Sequence, residues 1–191
     1  MAHITIILGT TRPNRFGVQI ADWLKQLTAE YKQTTFAVAD LADLNLPFLD
    51  EPDLPLHGNY VQDHTKKWAE IVGKSDGFLI IAPEYNHSYT PALKNALDFL
   101  WAEWHYKPAA FVSYGATAGG ARAVEHLRAI AGQLRMYDLG EHVIIPDYFK
   151  QLNKQGRFVP SAEQTASAHT TIERLIFWAD QFKAARAALP A

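Results

Sequence analysis

The chain has 191 residues, 48% of them hydrophobic, which suits one domain over residues 1–191 with a single sizeable core. Its formal net charge of −2 gives no reason to expect a nucleic-acid partner, and it argues against the strongly acidic surface of an electron carrier. The absence of cysteine excludes disulfides, thiolate metal sites, cysteine nucleophiles and cysteine-bound iron–sulfur clusters.

The N-terminal segment MAHITIILG contains a short apolar run and no basic cluster. The run is too short for a signal peptide or a membrane span, and no later run reaches the length of a transmembrane helix. We therefore expect this segment to form a first β-strand. We also expect no membrane partner and a cytoplasmic location.

Four further short apolar runs rich in branched residues follow the first, with helical patterns between them. Near-continuous apolarity, rather than alternation, indicates strands that are covered on both faces, as in a parallel sheet. The predicted strands are Ile4–Leu8, Phe36–Ala39, Phe78–Ala82, Ala109–Ser113 and Val143–Ile145.

Apolar residues at helical spacing predict five helices between and after these strands. A capping box, Ser161-Ala162-Glu163-Gln164, predicts the start of the last helix. The apolar stripes comprise Ile20, Leu24, Leu27 and Tyr31; Trp68, Ile71 and Val72; Leu93, Ala96, Leu97 and Leu100; Ala123, Leu127, Ile130 and Leu134; and Ile172, Leu175, Ile176, Ala179 and Phe182.

Five strands alternating with five helices predict an α/β fold with a doubly wound, five-stranded parallel sheet. Right-handed crossovers favour the flavodoxin-like strand order 2-1-3-4-5, in which ligands bind beyond the carboxyl ends of the first and third strands. The loops after the first, third and fourth strands are therefore expected to carry the chemistry. Residues 41–59 form one long irregular connection, which we interpret as a rim loop or a partner surface.

The first loop, GTTRPNRFG at residues 9–17, joins the first strand to a helix. A helix N-terminus offers unpaired backbone N–H groups and the positive end of the helix dipole. Thr10 and Thr11 add hydroxyl groups, while Arg12 and Arg15 add charge and forked donors. This composition suits one terminal phosphate rather than a pyrophosphate. The alternative is an ordinary N-cap turn with solvated arginines.

The second loop, APEYNHSYTPALKNALDFL at residues 82–100, follows the third strand. Thr90 and Pro91 predict the cap and the first residue of the next helix. The polar and aromatic residues before them suit the edge of a heteroaromatic ligand, with tyrosines against its faces. The alternatives are a solvated carboxylate at Glu84 and a surface histidine at His87.

The third loop, SYGATAGGAR at residues 113–122, is rich in glycine and other small residues. Such residues let a ligand approach the backbone closely, so amides between Gly115 and Gly119 become candidates for contact with an electron-rich edge. The alternative is a plain glycine-rich turn from strand to helix.

Other enzyme classes lack their motifs in this chain. No GxSxG sequence is present for a serine hydrolase, and no HExxH sequence is present for a zinc hydrolase. The aromatic segment Phe99–Tyr106 is expected to be partly core. Its remainder is expected beside the cleft, at the acceptor pocket or at a subunit contact.

At the three loops the sequence resembles the NAD(P)H-dependent FMN reductase family, a flavodoxin-like group that includes quinone, chromate and azo-dye reductases. The segment PEYNHSYTPALKNALDFL is similar to the family's Pro-Glu-Tyr-Asn loop, which is followed by Leu-Lys-Asn-Ala and an aspartate. GTTRPNRFG is similar to its Gly-Ser/Thr-x-Arg phosphate loop, and SYGATAGGARAVEHLR to its third loop and helix. The resemblance covers about residues 4–135.

The resemblance implies FMN as the cofactor and assigns the loop residues to its parts. His87 departs from the family, since many members have glycine there, and Arg15 replaces a serine found in some relatives. The FMN phosphate would be surrounded by Thr10, Arg12, Arg15, Phe16 and Gly17; the isoalloxazine would meet Pro83, Glu84, Tyr85 and Asn86; and its pyrimidine side would meet Ser113, Gly115, Ala116 and Gly119.

The activity implied is hydride transfer from NADPH or NADH to bound FMN, followed by reduction of a quinone, a flavin or another small-molecule acceptor in a ping-pong scheme. The flavin carries this chemistry, so no side chain is assigned as a catalytic acid or base. The family also implies a homodimer or a dimer of dimers. Two alternatives remain open: a flavodoxin-like carrier of single electrons that oxidises no nicotinamide, and a phosphate-ligand binding module without redox activity.

Overall fold

All five predicted strands are present in the computed structural model, which describes residues 1–189. They pair in parallel in the order β2-β1-β3-β4-β5, so the flavodoxin-like doubly wound sheet is confirmed. The strands are β1 His3–Leu8, β2 Thr35–Asp40, β3 Gly77–Pro83, β4 Pro108–Tyr114 and β5 Tyr137–Ile145.

Helices cover both faces of this sheet. The capping box at Ser161 is formed as predicted, with the serine side chain accepting the Gln164 N–H and the glutamine side chain returning to the Ser161 N–H. Within residues 1–189, no helix combines the length and the apolarity that crossing a bilayer requires. The α-helices are α1 Gly17–Thr28, α2 Leu41–Leu44, α3 Asp63–Lys74, α4 Pro91–Asp98, α5 Ala121–Gln133 and α6 Ala162–Ala188, and short 3-10 helices span Pro55–His57, Ala102–Trp104 and Tyr148–Gln151.

Two apolar cores lie on opposite faces of the sheet. Ile6 of β1 enters the core shared with α1 and α6, whereas the next residue, Ile7, enters the core shared with α3, α4 and α5. Successive side chains of a strand point to opposite faces, so both faces of a central strand must be apolar. This explains the near-continuous apolar runs of the sequence.

The edge strand β5 is longer than the sequence pattern predicts. It begins at Tyr137 rather than at Val143, and Tyr137, Gly140 and Ile144 are exposed. An edge strand is only partly covered, so its first half mixes polar and apolar residues and shows no continuous apolar run. Residues 41–59 also hold more regular structure than expected, because α2 and one 3-10 helix lie within them.

The aromatic segment Phe99–Tyr106 is partly core, as expected, but its remainder does not lie beside the cleft, so that part of the sequence interpretation is wrong. Phe99 and Trp104 are fully buried, and the Trp104 ring packs against Phe78 with ring centroids 4.9 Å apart. The segment leads into the first residue of β4 and therefore lies at the amino-terminal edge of the sheet, opposite the three loops. It cannot contribute to an acceptor pocket within its own chain.

A buried carboxylate joins the C-terminal helix to the sheet. The side chain of Asp76, just before β3, is 8% exposed and accepts hydrogen bonds from Lys183 Nζ at 2.7 Å and Arg186 Nη2 at 2.8 Å. It also accepts the backbone N–H of His3 at 3.0 Å. One side chain therefore connects the end of α6 to the beginning of β1.

Replacing Asp76 with alanine is expected to lower the free energy of unfolding by about 2 kcal/mol, because it removes three bonds and leaves the partly buried guanidinium of Arg186 without its counter-charge. Urea denaturation measures this change. The matched control, Asp22→Ala, removes an exposed pair with Lys25 and is expected to leave the midpoint near that of the wild type. Equal losses in both variants would contradict a stabilising role for Asp76.

Candidate functional site

The three loops meet at the carboxyl edge of the sheet, as the strand order requires. The Thr10 and Tyr85 hydroxyl oxygens lie 3.3 Å apart and join the first loop to the second. The Glu84 N–H donates to the carbonyl of Tyr114 at 3.0 Å and joins the second loop to the third. The structure thus brings together the loops that the sequence singled out.

Gly9 sets the path of the chain between β1 and β3. Its N–H donates to the carbonyl of Ile81 at 3.0 Å, and a Cβ at this position would lie 2.7 Å from the same oxygen. Its own carbonyl accepts the Thr90 hydroxyl at 2.5 Å. Thr90 also caps α4 by accepting the N–H of Leu93 at 3.1 Å, which confirms the predicted cap. One threonine therefore connects the helix cap to the first loop.

The backbone N–H groups of the first loop are free for a ligand. Within residues 1–189, no protein group accepts the N–H groups of residues 10–12 and 14–16. Phe16 occupies the N-cap position of α1 and provides no side-chain cap. The turn therefore lacks the side-chain cap of the alternative interpretation and retains the donors that an anion needs.

Arg12 and Arg15 differ in their surroundings. Arg12 is exposed, whereas Arg15 is largely buried and its Nη2 forms an ion pair with Asp40 at the end of β2. Asp40 in turn accepts the N–H of Ala42 at 2.9 Å and caps α2. The Nε of Arg15 is buried, and no group among residues 1–189 accepts a hydrogen bond from it. Arg15 thus has one side satisfied by the protein and one donor left over.

Phe16 and Gly17 lie below the loop surface. The Phe16 ring is buried among aromatic side chains, with its centroid 4.6 Å from that of Tyr148 and 5.3 Å from that of Phe158. The Gly17 N–H donates to the Tyr114 hydroxyl. Burial raises the pKa of this hydroxyl above its ordinary value. Both residues hold the start of α1 in place beneath the predicted phosphate position.

The second loop reverses direction in a tight turn. Tyr85 and Ser88 exchange two backbone hydrogen bonds, of 2.7 and 3.0 Å. Both central residues have positive φ, 49° at Asn86 and 70° at His87. Asparagine tolerates this conformation better than most residues, but a histidine costs free energy there, which accounts for the glycine expected from the family resemblance. The exposed His87 matches the surface alternative.

Glu84 is not a solvated carboxylate. Its side chain is 8% exposed and pairs with Arg122 of α5, whose Nε donates to Oε1 at 2.7 Å. The second oxygen, Oε2, is buried and has no partner within residues 1–189. A buried carboxylate oxygen without a donor is costly, so this position suits a ligand that brings an N–H or O–H group.

The third loop closes on a pair of glycines in the left-handed region, with φ of 58° at Gly119 and 89° at Gly120. A Cβ on Gly119 would lie 2.4 Å from Ile144 Cγ2, and a Cβ on Gly120 would lie 2.6 Å from the Cβ of Ser113. Neither position has room for a larger residue. The loop therefore packs directly on the ends of β4 and β5.

Four carbonyl groups within residues 115–119 of the third loop are bonded to the protein, those of Gly115, Ala116, Ala118 and Gly119. The carbonyl of Gly115 accepts the Tyr148 N–H at 3.4 Å, and that of Ala116 accepts the Asp147 N–H at 2.9 Å. In contrast, nothing within residues 1–189 accepts the N–H groups of residues 116–118. The loop consequently offers donors rather than acceptors, as an electron-rich ligand edge requires.

Ser113 lies beneath the third loop instead of at its surface. The residue is 0% exposed, and its hydroxyl is 2.7 Å from both the carbonyl of Gly119 and Nε2 of His142. Pro83 is likewise buried as the last residue of β3. Five of the predicted contact residues lie on or next to the exposed surface of the loops or bond from one loop to another: Thr10, Arg12, Tyr85, Asn86 and Ala116. Direct contact of each predicted residue with a ligand stays a prediction.

A cavity of about 450 Å³ opens beside the first and second loops. Thr11 of the first loop, Pro91 at the start of α4 and Phe48 are among its lining residues. The lining is mixed, because it combines apolar residues with the amide side chains of Asn45 and Asn95. A planar ring system has room in such a space.

Sequence reasoning missed several side chains that support the loops. Asp40 is one of them, and the alignment of β2 beside β1 was the available signal, since the ends of adjacent parallel strands lie side by side. Tyr148 and Phe158 carry no local pattern, because they reach Phe16 only through the return of the chain after β5. His142 is also unmarked in the sequence.

Comparison with known proteins agrees with this geometry. The sequence model of the family described as NADPH-dependent FMN reductase matches residues 2–150. An NAD(P)H-dependent FMN reductase of Schizosaccharomyces pombe is 40% identical over 135 residues, which make up 70% of this chain and 67% of that protein. A 2-hydroxy-1,4-benzoquinone reductase of a Burkholderia species is 32% identical over 144 residues, covering 69% and 70% of the two chains.

A solved structure supports the same fold. The flavoenzyme NAD(P)H:(acceptor) oxidoreductase FerB of Paracoccus denitrificans superposes with a TM-score of 0.72 over 95% of this chain and 99% of its own, at 20% identity. At this identity the likeness concerns the fold alone. The family match, by contrast, takes in all three loops and most of the sheet. The chain therefore belongs to the NADPH-dependent FMN reductase family, and it is an oxidoreductase with FMN and NAD(P)H as its cofactors.

Proposed function

We propose that the chain oxidises NADPH or NADH at an FMN bound across the three loops and passes the electrons to a quinone, a free flavin or a similar small acceptor. The observation that carries this proposal is the set of unaccepted N–H groups on the first and third loops, which lie with the second loop at the same edge of the sheet. The cytoplasmic location remains a prediction from the sequence.

The first loop fits a terminal phosphate. The free N–H groups of residues 10–12 and 14–16, the exposed Arg12 and the unsatisfied Nε of Arg15 are all donors, and none is an acceptor that would repel a dianion. Asp40 neutralises only one side of Arg15, and it keeps the guanidinium oriented. We therefore assign Thr10, Arg12 and Arg15 to the phosphate.

The second and third loops fit an isoalloxazine ring. The N–H groups of residues 116–118 would stabilise negative charge on its pyrimidine edge, and the buried Oε2 of Glu84 would accept an N–H from the ring. Tyr85 and Asn86 lie where the second loop turns, so they would meet the ring beside the entrance.

When bound, FMN supplies the acceptance and the donation of a hydride. The protein then has three tasks: to bind the phosphate, to hold the ring at the loop N–H groups and to leave one side open for a nicotinamide or an acceptor. Within residues 1–189, the exposed His87 is the one histidine or carboxylate without an ion-pair partner in the turn from Tyr85 to Ser88. We accordingly assign no side chain as a general acid or base.

Reduction by a nicotinamide separates this proposal from a single-electron carrier. The FMN-loaded protein is expected to lose its visible flavin absorbance when NADPH is added without oxygen, and to regain it when a benzoquinone is added. Anaerobic stopped-flow absorbance measures both steps, and NADH run in parallel gives the donor preference. If the bound flavin keeps its absorbance with both nicotinamides, the carrier reading replaces the reductase.

The double variant Arg12→Ala, Arg15→Ala is expected to weaken FMN binding by about 100-fold, since it removes two charge-assisted contacts to the phosphate. Riboflavin, which lacks the phosphate, is expected to bind the variant as well as it binds the wild type. Quenching of flavin fluorescence measures both affinities. Arg174→Ala, which removes one positive charge at an exposed pair with Glu141, is the control for a general loss of positive charge. Equal weakening for both flavins would contradict the phosphate assignment.

A second copy of the chain is proposed as the partner at residues 45–62. This segment exposes large apolar side chains, with Phe48 at 86% and Leu54 at 64%. Its backbone is nonetheless held by side chains, since Asn95 Oδ1 accepts the Leu49 N–H at 3.1 Å and Glu51 accepts the Val61 N–H at 2.9 Å. A fixed apolar surface beside the cleft supports the family expectation of a homodimer or a dimer of dimers.

Introducing charge at this surface is expected to separate the subunits. The wild type should sediment as a dimer or a larger assembly, and the variant Phe48→Glu, Leu54→Glu as a monomer, because the carboxylates would be buried without partners. Analytical ultracentrifugation measures the mass. Val159→Glu, which alters an exposed apolar residue outside the segment, is the control. A monomeric wild type would refute the proposed assembly.

A further inference from the structure

A chain of hydrogen bonds runs from the edge strand β5 to the third loop through the half-buried side chain of His142 and the buried side chain of Ser113. Nε2 of His142 lies 2.7 Å from the Ser113 hydroxyl oxygen, and that hydroxyl donates to the carbonyl of Gly119 at 2.7 Å. The serine has a single proton and gives it to the carbonyl, so it must accept from the histidine. The histidine therefore carries its proton on Nε2.

The protonation state of His142 agrees with this direction. Burial, together with the nearby positive charge of Arg128, lowers the pKa of His142 to about 4. The ring is consequently neutral at neutral pH, with one N–H and one lone pair. The N–H is engaged with Ser113, which fixes the tautomer through the hydrogen bond itself.

The hydrogen-bond chain ends at Gly119, in the most tightly packed part of the third loop. The carbonyl of Gly119 belongs to the left-handed glycine pair, whose Cβ positions are closed by Ile144 and Ser113. Because the Ser113 hydroxyl donates to that carbonyl and Ile144 of β5 lies against the Cα of Gly119, the peptide keeps the carbonyl turned away from the cleft. The N–H groups of residues 116–118 therefore keep their accessible arrangement.

We propose that His142 is a positioning residue for the flavin ring, acting through the Ser113 hydroxyl to hold the third loop with its N–H groups toward the ligand. Ser113 then serves the ring through the loop and makes no contact of its own with it. The inference rests on the proposed function, since it assumes that the third loop receives the isoalloxazine. Hydrogen bonds in series polarise one another, so the histidine also strengthens the serine's bond to Gly119.

The test compares a histidine replacement that loses the donor with one that keeps it. His142→Leu is expected to raise the dissociation constants of FMN and riboflavin alike by about tenfold, because the affected loop meets the ring and not the phosphate. His142→Gln retains an N–H donor and is expected to restore both constants to within about threefold of the wild type. Flavin fluorescence quenching measures them.

Two further variants protect the test from a loss of folding. Ser113→Ala removes the hydroxyl that links His142 to the carbonyl of Gly119, and it is expected to match His142→Leu in flavin affinity. His169→Leu removes a histidine bonded to the Tyr31 hydroxyl at 2.9 Å, away from the loops, and is expected to leave the affinity unchanged. Thermal unfolding of each variant shows that binding is measured on folded protein.

The outcomes separate this inference from the proposed function. A wild type that binds FMN, together with a folded His142→Leu and a folded Ser113→Ala that bind it equally well, would overturn the positioning role alone. A wild type that binds no FMN would overturn the proposed function, and this inference with it. Weakening in both variants, with recovery in His142→Gln and an altered visible absorption band of the bound flavin, supports the role.

Discussion

The cleft depends on a separation of backbone polarity: the carbonyl groups of Gly9, Ala116 and Gly119 are bonded inside the protein, while the N–H groups of residues 10–12, 14–16 and 116–118 have no acceptor within residues 1–189. The carbonyl of Gly9 receives the Thr90 hydroxyl, and that of Gly119 receives the Ser113 hydroxyl. The carbonyl of Ala116 receives the Asp147 N–H. These bonds are present before the ligand binds, so ordering the loops takes no free energy from binding. A preformed row of donors is what an electron-rich cofactor requires.

This separation also explains how a chain with a net charge of −2 binds an anionic group. The attraction is local, since peptide N–H groups and two arginines act within a few ångströms, where screening by salt is weak. Asp40 places a negative charge beside Arg15, yet it takes only one side of the guanidinium fork. The remaining Nε is an unpaired buried donor whose cost disappears when an acceptor binds.

The sheet could be predicted because its determinants are local in the sequence. Each central strand carries an apolar run, and its flanking helices carry stripes, so order and pairing follow from handedness rules. The edge strand β5 was predicted only in part, because its partly uncovered first half has no continuous apolar run before Val143. The segment Phe99–Tyr106 was misplaced because its aromatic character says that it is buried, not at which edge of the sheet.

The site itself was predictable as three loops but not as a set of side-chain roles. Motif spacing brings Thr10, Tyr85 and Gly115 to one edge, whereas the pairing of Arg15 with Asp40 depends on a neighbouring strand. Ser113 shows the limit most clearly. Its position in the motif suggested contact with the ring, and that contact stays a prediction. The structure shows a feature that the motif does not: Ser113, the residue before the last of β4, is buried, and its hydroxyl bonds to Gly119 and lies 2.7 Å from Nε2 of His142.

The C-terminal part of the chain, beyond the family match that ends at residue 150, completes the site by packing against it. Phe158 packs on Phe16 with ring centroids 5.3 Å apart, and its N–H donates to the side chain of Gln19 in α1 at 2.7 Å. The Gln19 side chain also donates to the carbonyl of Gly156 at 3.1 Å. The start of α1 is therefore held from below by residues that lie beyond the family match. Because a shift of α1 would move the N–H groups that precede it, changes in this segment offer a route for tuning the proposed phosphate affinity without altering the sequence of the first loop.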